Sequence, residues 1–184
     1  MAKTLRQEIV YWQKSTLKER EIIIRQYTEV TRLLNELFSL APDQCYVEDG
    51  IGCCHIGTIV SESGITGPAY ITLLRMRQAR LEEEGLEAKV GSELDGPCSY
   101  HKEGYGCVLG ELKSPLCMSN YCDGVLNAVG YDQDYVDKTL VQILQGGFNP
   151  ETRKYHPEQN LPLVEQFKVY VRSLMETAKT MKKA

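Results

Sequence analysis

Apolar residues recur at helical spacing in the N-terminal arm, residues 1–42. One stripe advances at steps of four, three, four and four, and it consists of Ile23, Tyr27, Val30, Leu34 and Phe38. Such spacing places its members on one face of a helix, which is then buried. The run Thr16-Leu17-Lys18-Glu19 has the form of a capping box, so a helix is predicted to begin there.

Three further helices are predicted from similar patterns. The first extends from about Pro68 to Glu84, because proline suits a first helical turn and Gly85 suits the stop. The next has Asp134 as its cap and ends at Gly146-Gly147. The last begins at Asn160 and carries an apolar stripe at alternating steps of three and four, made of Val164, Phe167, Val171, Leu174, Ala178 and Met181.

The middle of the chain differs from these segments. All fifteen glycines lie between Gly50 and Gly147, and residues 86–131 show little periodicity of either kind. We expect loops and short turns there, shaped by ligands rather than by hydrophobic packing. The predicted fold is mainly α, with helices packed around an irregular, cysteine-rich metal-binding centre. We expect one domain over residues 1–184, divided into the arm 1–42, a metal-binding core 45–130 and C-terminal helices 131–184.

Charge and hydropathy exclude some classes of protein. The formal net charge of -4 argues against a nucleic-acid partner, which would require a basic face. Arg75, Arg77 and Arg80 form a local basic group, for which a solvated helix face is favoured over an anion site. The polar N-terminus predicts no secretory signal, and no run is long and apolar enough for a membrane span. A cytoplasmic location without membrane association is therefore expected.

The cysteines suggest metal chemistry. All seven lie between positions 45 and 122, and each is a candidate metal ligand: Cys45, Cys53, Cys54, Cys98, Cys107, Cys117 and Cys122. Clustered thiols in a reducing compartment bind metal or do redox chemistry more often than they form disulfides. The last four suffice for one tetrahedral zinc or one iron–sulfur cluster. The first three are one ligand short, and the set could be completed by His55, Glu48, Asp49 or His101.

An energetic argument favours bound metal. Ordering loop residues costs about 1–2 kcal/mol each, which burial in an irregular segment does not repay. A structural zinc contributes about 10–16 kcal/mol in small folding units. Two other interpretations stay open: individual cysteines can serve as small buried hydrophobes, and Cys98 with His101 could form a nucleophilic pair.

The order of these cysteines resembles that of a known family. The similar segments are Gly52-Cys53-Cys54, Pro97-Cys98, Gly106-Cys107 and Lys113-Ser114-Pro115-Leu116-Cys117, followed by Cys122. They look like the zinc- or iron-chelating cysteine-cluster (CxxCxxCC, YkgJ-like) family over residues 45–122. The single Cys45 stands where the family has an upstream CxxC, and Lys113-Ser114-Pro115 stands where it has an RP pair. The resemblance implies bound zinc or iron, the iron either as single ions or in an iron–sulfur centre.

The predicted function is that of a cytosolic metal-binding protein, acting as an accessory or redox partner. The cofactor would be an iron–sulfur cluster or zinc, and a partner protein would bind the helical surface. One alternative is a metal-dependent enzyme for a redox step or an N-methyl transfer, as in the flagellin lysine N-methylase branch of the family it resembles. Another is a structural zinc module within a larger assembly.

Overall fold

A computed structural model describes residues 11–40, 68–85, 101–102, 106–119 and 129–181. This part of the chain is mainly helical, as predicted. Its α-helices are α1 (Leu17–Ser39), α2 (Pro68–Glu83), α3 (Pro115–Ser119), α4 (Gln133–Gln145) and α5 (Leu161–Met181). Two 3-10 helices span Gly110–Leu112 and Pro157–Asn160. The strands β1 (His101–Lys102) and β2 (Gly106–Cys107) pair antiparallel.

The predicted start of α1 is confirmed in detail. The Thr16 hydroxyl accepts a hydrogen bond from the Glu19 N–H at 3.1 Å, and the Glu19 carboxylate accepts one from the Thr16 N–H at 2.7 Å. Both donors would otherwise lack a partner at a helix start, so the capping box fixes where the helix begins. The predicted stripe is also confirmed, since all five of its side chains are buried.

The caps of α4 and α5 differ from the prediction. Asp132, not Asp134, caps α4, and its side chain accepts a hydrogen bond from the Tyr135 N–H at 2.9 Å. Gly146 ends α4 in the left-handed conformation, as expected. Asn160 does not begin α5 but closes the preceding 3-10 helix. Its side-chain amide donates to the Ile143 carbonyl at 3.2 Å. It thus provides a hydrogen-bond donor for a carbonyl in the last turn of α4.

The core forms where α1 meets α5 and where α4 packs against both of them. The α5 stripe is buried from Val164 to Leu174, whereas Met181 is exposed. The chain from the end of β2 into α3 also enters the core, through Val108, Leu109, Leu112 and Met118. The expectation that ligands rather than hydrophobic packing shape the middle is therefore wrong for residues 108–118.

Among the described residues, no helix is long and apolar enough to cross a membrane. The division into an arm, a metal-binding core and C-terminal helices stays a prediction. Most of residues 45–130 lie outside the part that the structure describes.

Candidate metal centre

Two of the seven predicted ligands, Cys107 and Cys117, lie in the described part of the chain. Neither is joined in a disulfide, and both side chains are half-buried. The backbone of His101 is described as well. The other predicted ligands and the side chains proposed to complete the first set lie outside the described residues: Cys45, Cys53, Cys54, Cys98, Cys122, His55, Glu48 and Asp49.

Cys107 is held at the end of the short strand pair. It closes β2, and the register places it directly opposite His101 of β1. From Cys107 the chain turns at once into the core through Val108 and Leu109, which are both buried. The thiol is therefore attached to backbone that is fixed by strand pairing on one side and by apolar burial on the other.

Cys117 is held by a cap at the start of α3. The Cys117 N–H donates to the Ser114 Oγ atom at 3.2 Å, and the Ser114 hydroxyl lies 3.1 Å from the Cys117 Sγ atom. Pro115 follows as the first helical residue, a position that needs no N–H. Ser114 is completely buried. A buried hydroxyl that donates to sulfur is the kind of partner that orients a thiolate ligand.

A row of polar groups on α1 anchors the segment between the two cysteines. The Tyr27 hydroxyl donates to the Lys113 carbonyl, and the Thr31 hydroxyl lies 2.6 Å from the Glu111 carbonyl. The Asn35 side-chain oxygen accepts from the Lys113 Nζ atom at 2.9 Å. These three α1 residues follow at steps of four, so one edge of the helix holds residues 111–113 by hydrogen bonds.

Burial and nearby charges determine the pKa of the Cys107 thiol. Burial raises the pKa of the Cys107 thiol, while the Lys113 ammonium and the Leu109 N–H offset part of this effect. Negative charge on Cys117 raises the pKa of Cys107 further, and the Arg77 guanidinium lowers it. The raised pKa disfavours Cys107 as a free nucleophile, which requires thiolate.

Arg77 lies in the core, which corrects the prediction of a solvated arginine face. The buried stripe of α2 consists of Ala69, Leu73, Arg77 and Leu81, each four residues from the next and each 0% exposed. Arg80 is partly exposed, which agrees with the prediction, and it forms ion pairs with Glu83 at 3.7 Å and with Glu111 at 3.8 Å. The Glu111 pair also ties α2 to the 3-10 helix that follows Cys107.

The described residues fit part of a metal site. Two free thiols stand at the two ends of one anchored segment, and the buried Ser114 hydroxyl contacts one of them. Within the described ranges, however, no three His, Cys, Asp or Glu side chains converge as a metal ion requires. A tetrahedral zinc or a cubane cluster takes four protein ligands, so the described pair would supply half of the set.

The sequence prediction missed the residues that support this pair. It assigned Tyr27 to the apolar stripe and gave no role to Thr31, Asn35 or Ser114. Two signals were available: the spacing of four between the polar groups of α1, and a serine directly before a proline, which is typical of a helix start.

Comparisons with protein-family models, curated proteins and solved structures find no match to this chain. The resemblance to the cysteine-cluster family stays a prediction that depends on the order of the cysteines.

Proposed function

We propose that this chain is a metal-binding protein whose cysteines hold zinc or an iron–sulfur centre, and that it acts as an accessory or redox partner. The observation that supports the proposal is that two free, half-buried cysteines, Cys107 and Cys117, stand at the two ends of one segment that is anchored to α1 by hydrogen bonds. Nine residues separate them in sequence, and different elements position them. Two free thiols supported from separate elements are what a chelating site needs from its first two ligands.

The remaining ligands of this set would be Cys98 and Cys122. Each is three residues from a described element, namely β1 and α3 respectively. Three residues of extended chain reach about 10 Å, so the covalent distance allows both to join the pair. His101 is a competing ligand, because the strand register sets it opposite Cys107.

Metal bound in this set would stabilise the fold of the cysteine-rich middle. Zinc would act as a structural ion, and an iron–sulfur cluster would add one-electron redox chemistry. A partner protein would bind the exposed surfaces of the helices, where Leu161 and Val169 of α5 present apolar side chains.

Anaerobic purification followed by metal and sulfide analysis tests the proposal. Iron with labile sulfide and visible absorption that bleaches on reduction would support a cluster, while colourless protein with tightly held zinc would support a zinc site. We expect Cys107→Ser and Cys117→Ser each to lose the metal, with little change in Cys45→Ser as the matched control. Full metal content in the Cys117 variant would contradict the ligand assignment.

A further inference from the structure

We infer that Ser114 is a positioning residue of the proposed centre, and that its buried hydroxyl donates a hydrogen bond to the Cys117 sulfur, which orients this ligand and draws charge from it. The role rests on the proposed function, because Cys117 carries a thiolate when it binds metal. It goes further than that proposal by naming a residue that tunes the centre without touching the metal.

The cap of α3 determines where the Ser114 hydroxyl proton points. The Ser114 Oγ atom accepts the Cys117 N–H at 3.2 Å, and the Ser114 carbonyl accepts the Met118 N–H at 3.0 Å. A hydroxyl oxygen that accepts one hydrogen bond still has its own proton to donate. The Cys117 Sγ atom lies 3.1 Å away. Since a thiolate has no proton to give, Ser114 is the donor of this bond whenever metal is bound at Cys117.

Burial protects the contact between the hydroxyl and the sulfur. Ser114 is 0% exposed, whereas Cys117 is only half-buried. Water therefore does not compete for the hydroxyl, while Cys117 keeps part of its surface free for a metal ion. A hydrogen bond to a charged acceptor is stronger than one between neutral groups. The bond should thus strengthen when the thiol of Cys117 becomes a thiolate ligand.

The backbone on both sides of Ser114 is also held in place. Before it, the Lys113 carbonyl accepts from the Tyr27 hydroxyl, and the Lys113 ammonium donates to the Asn35 side chain at 2.9 Å. After it, the ring of Pro115 fixes the backbone φ angle at the first position of α3. The donor is therefore positioned by the fold itself and does not depend on metal for its orientation.

A hydrogen bond to a thiolate ligand has measurable electronic effects. It draws electron density from sulfur, so sulfur-to-metal charge transfer requires more energy. In an iron–sulfur centre it stabilises the reduced, more negative state, and hydrogen bonds to sulfur are among the features that set the reduction potential. Loss of the hydroxyl should move the charge-transfer band to longer wavelength, or lower the reduction potential. Neither quantity reports on the stability of the fold.

Four variants separate an effect on sulfur from the loss of a helix cap. Ser114→Gly removes the hydroxyl but keeps a residue that is tolerated at a helix start. Ser114→Ala also removes it and fills the same space, and Ser114→Thr keeps it. Thr16→Ala is the matched control, because it removes a hydroxyl that caps a different helix, α1, where it accepts the Glu19 N–H at 3.1 Å.

Metal binding is measured on protein that has been stripped of metal under anaerobic conditions. Ser114→Gly and Ser114→Ala should bind Zn²⁺ about tenfold more weakly than the wild type, as is usual when an outer partner of a metal ligand is lost. Their Co²⁺ charge-transfer bands should move to longer wavelength. Ser114→Thr and Thr16→Ala should match the wild type in both quantities. If the protein is purified with an iron–sulfur cluster, the reduction potential of that cluster replaces the Co²⁺ band and should fall in the same two variants.

Three outcomes would overturn the role of Ser114 while the wild type binds metal. They are an unshifted band or potential in the Gly and Ala variants, the same shift in Thr16→Ala, and a Ser114→Thr variant that behaves like Ser114→Gly. Should Ser114→Gly not fold, Ser114→Ala decides. A wild-type chain that takes up no metal would refute the proposed function, and the role of Ser114 with it.

Discussion

The Nζ atom of Lys168 on α5 lies 2.6 Å from the Oε1 atom of Glu29 on α1. It also lies 2.8 Å from Glu165, one turn earlier on its own helix. Only 9% of the Lys168 side chain is exposed. Burial lowers the pKa of this lysine, but the two carboxylates outweigh that effect and raise the pKa above its ordinary value. The ammonium thus joins α1 and α5 at the edge of the core.

Lys168→Met should destabilise the fold by about 1–2 kcal/mol, between the values usual for exposed and for buried ion pairs. Methionine keeps the apolar stem but removes both ion pairs, and water can reach the carboxylates that remain. The free energy of unfolding in urea measures the effect. Lys138→Met is the control, because its pair with Asp134 is longer, at 3.5 Å, and largely exposed. If both variants lose the same free energy of unfolding, burial does not strengthen the ion pairs of Lys168.

The stabilising effect of Lys168 should depend on pH at both ends of the scale. Its hydrogen bond and charge lower the pKa of Glu165, so the folded state binds fewer protons there than the unfolded state does. This part of the stability is present above pH 4.5, the ordinary value of a glutamate, and is lost as the pH falls through the lowered pKa. The raised pKa of Lys168 has the opposite pH dependence. The stability that it contributes is present below pH 10.5 and is lost as the pH rises through the raised pKa. The difference in unfolding free energy between wild type and Lys168→Met should therefore be flat between these limits and shrink outside them.

Gly147→Ala should be more destabilising than Gly85→Ala, although both glycines have a left-handed φ, of 61° and 66°. The conformation alone costs alanine about 1–2 kcal/mol at either site. A Cβ atom on Gly147 would lie 2.4 Å from the backbone oxygen of His156, whereas one on Gly85 would meet nothing within 4 Å. We expect a further loss of about 1–3 kcal/mol in the Gly147 variant, the usual cost of overpacking. Urea unfolding of the two variants gives their free energies of unfolding. Equal losses of free energy would contradict the close approach of Gly147 to His156.

The fold could be predicted where local chemistry decides it. The capping box of Thr16 and Glu19 depends on residues three positions apart, and its prediction is confirmed. The prediction of Asp134 as the cap of α4 was wrong, because the aspartate two residues earlier, Asp132, takes that position. Asn160 was misassigned because its partners, the last carbonyls of α4, are distant in sequence.

The candidate site was less predictable, because it depends on contacts between separate elements. The order of the cysteines predicted Cys107 and Cys117 as ligands, which stays a prediction, and contained no information on the burial of Arg77. Charge patterns along α2 favour solvent for an arginine, and only the packing of its stripe into the core shows otherwise. Whether Cys98 and Cys122 join the pair stays a prediction.

Thr31→Val should loosen the segment between the two cysteines. The Thr31 hydroxyl is completely buried and bonds the Glu111 carbonyl at 2.6 Å, and valine keeps the shape without the donor. We expect a loss of about 1–2 kcal/mol in unfolding free energy, as for a buried hydrogen bond whose acceptor stays unsatisfied. Amide exchange at Leu112 and Met118, whose N–H groups bond within this segment, should become faster.

Thr28→Val provides the matched control for that experiment. Its hydroxyl bonds carbonyls of its own helix, at 3.0 and 3.2 Å, and its side chain is half-buried. We expect little change in stability and none in the exchange of residues 112 and 118. Faster exchange in both variants would mean that the valine disturbs α1 itself.

Trp12 offers a direct probe of how the helical residues 11–14 attach to α2. It is the only tryptophan of the chain, it is buried, and its Nε1 atom donates to the Thr72 hydroxyl at 3.0 Å. Its ring also meets the edge of Tyr155 at a centroid distance of 5.3 Å. Thr72→Val should cost about 1 kcal/mol and shift tryptophan emission to shorter wavelength, because the indole loses a polar partner but stays buried. Thr72→Ser keeps the hydroxyl and should restore both quantities. Emission at the wavelength of hydrated tryptophan in the folded wild type would instead show that the ring does not pack between Thr72 and Tyr155.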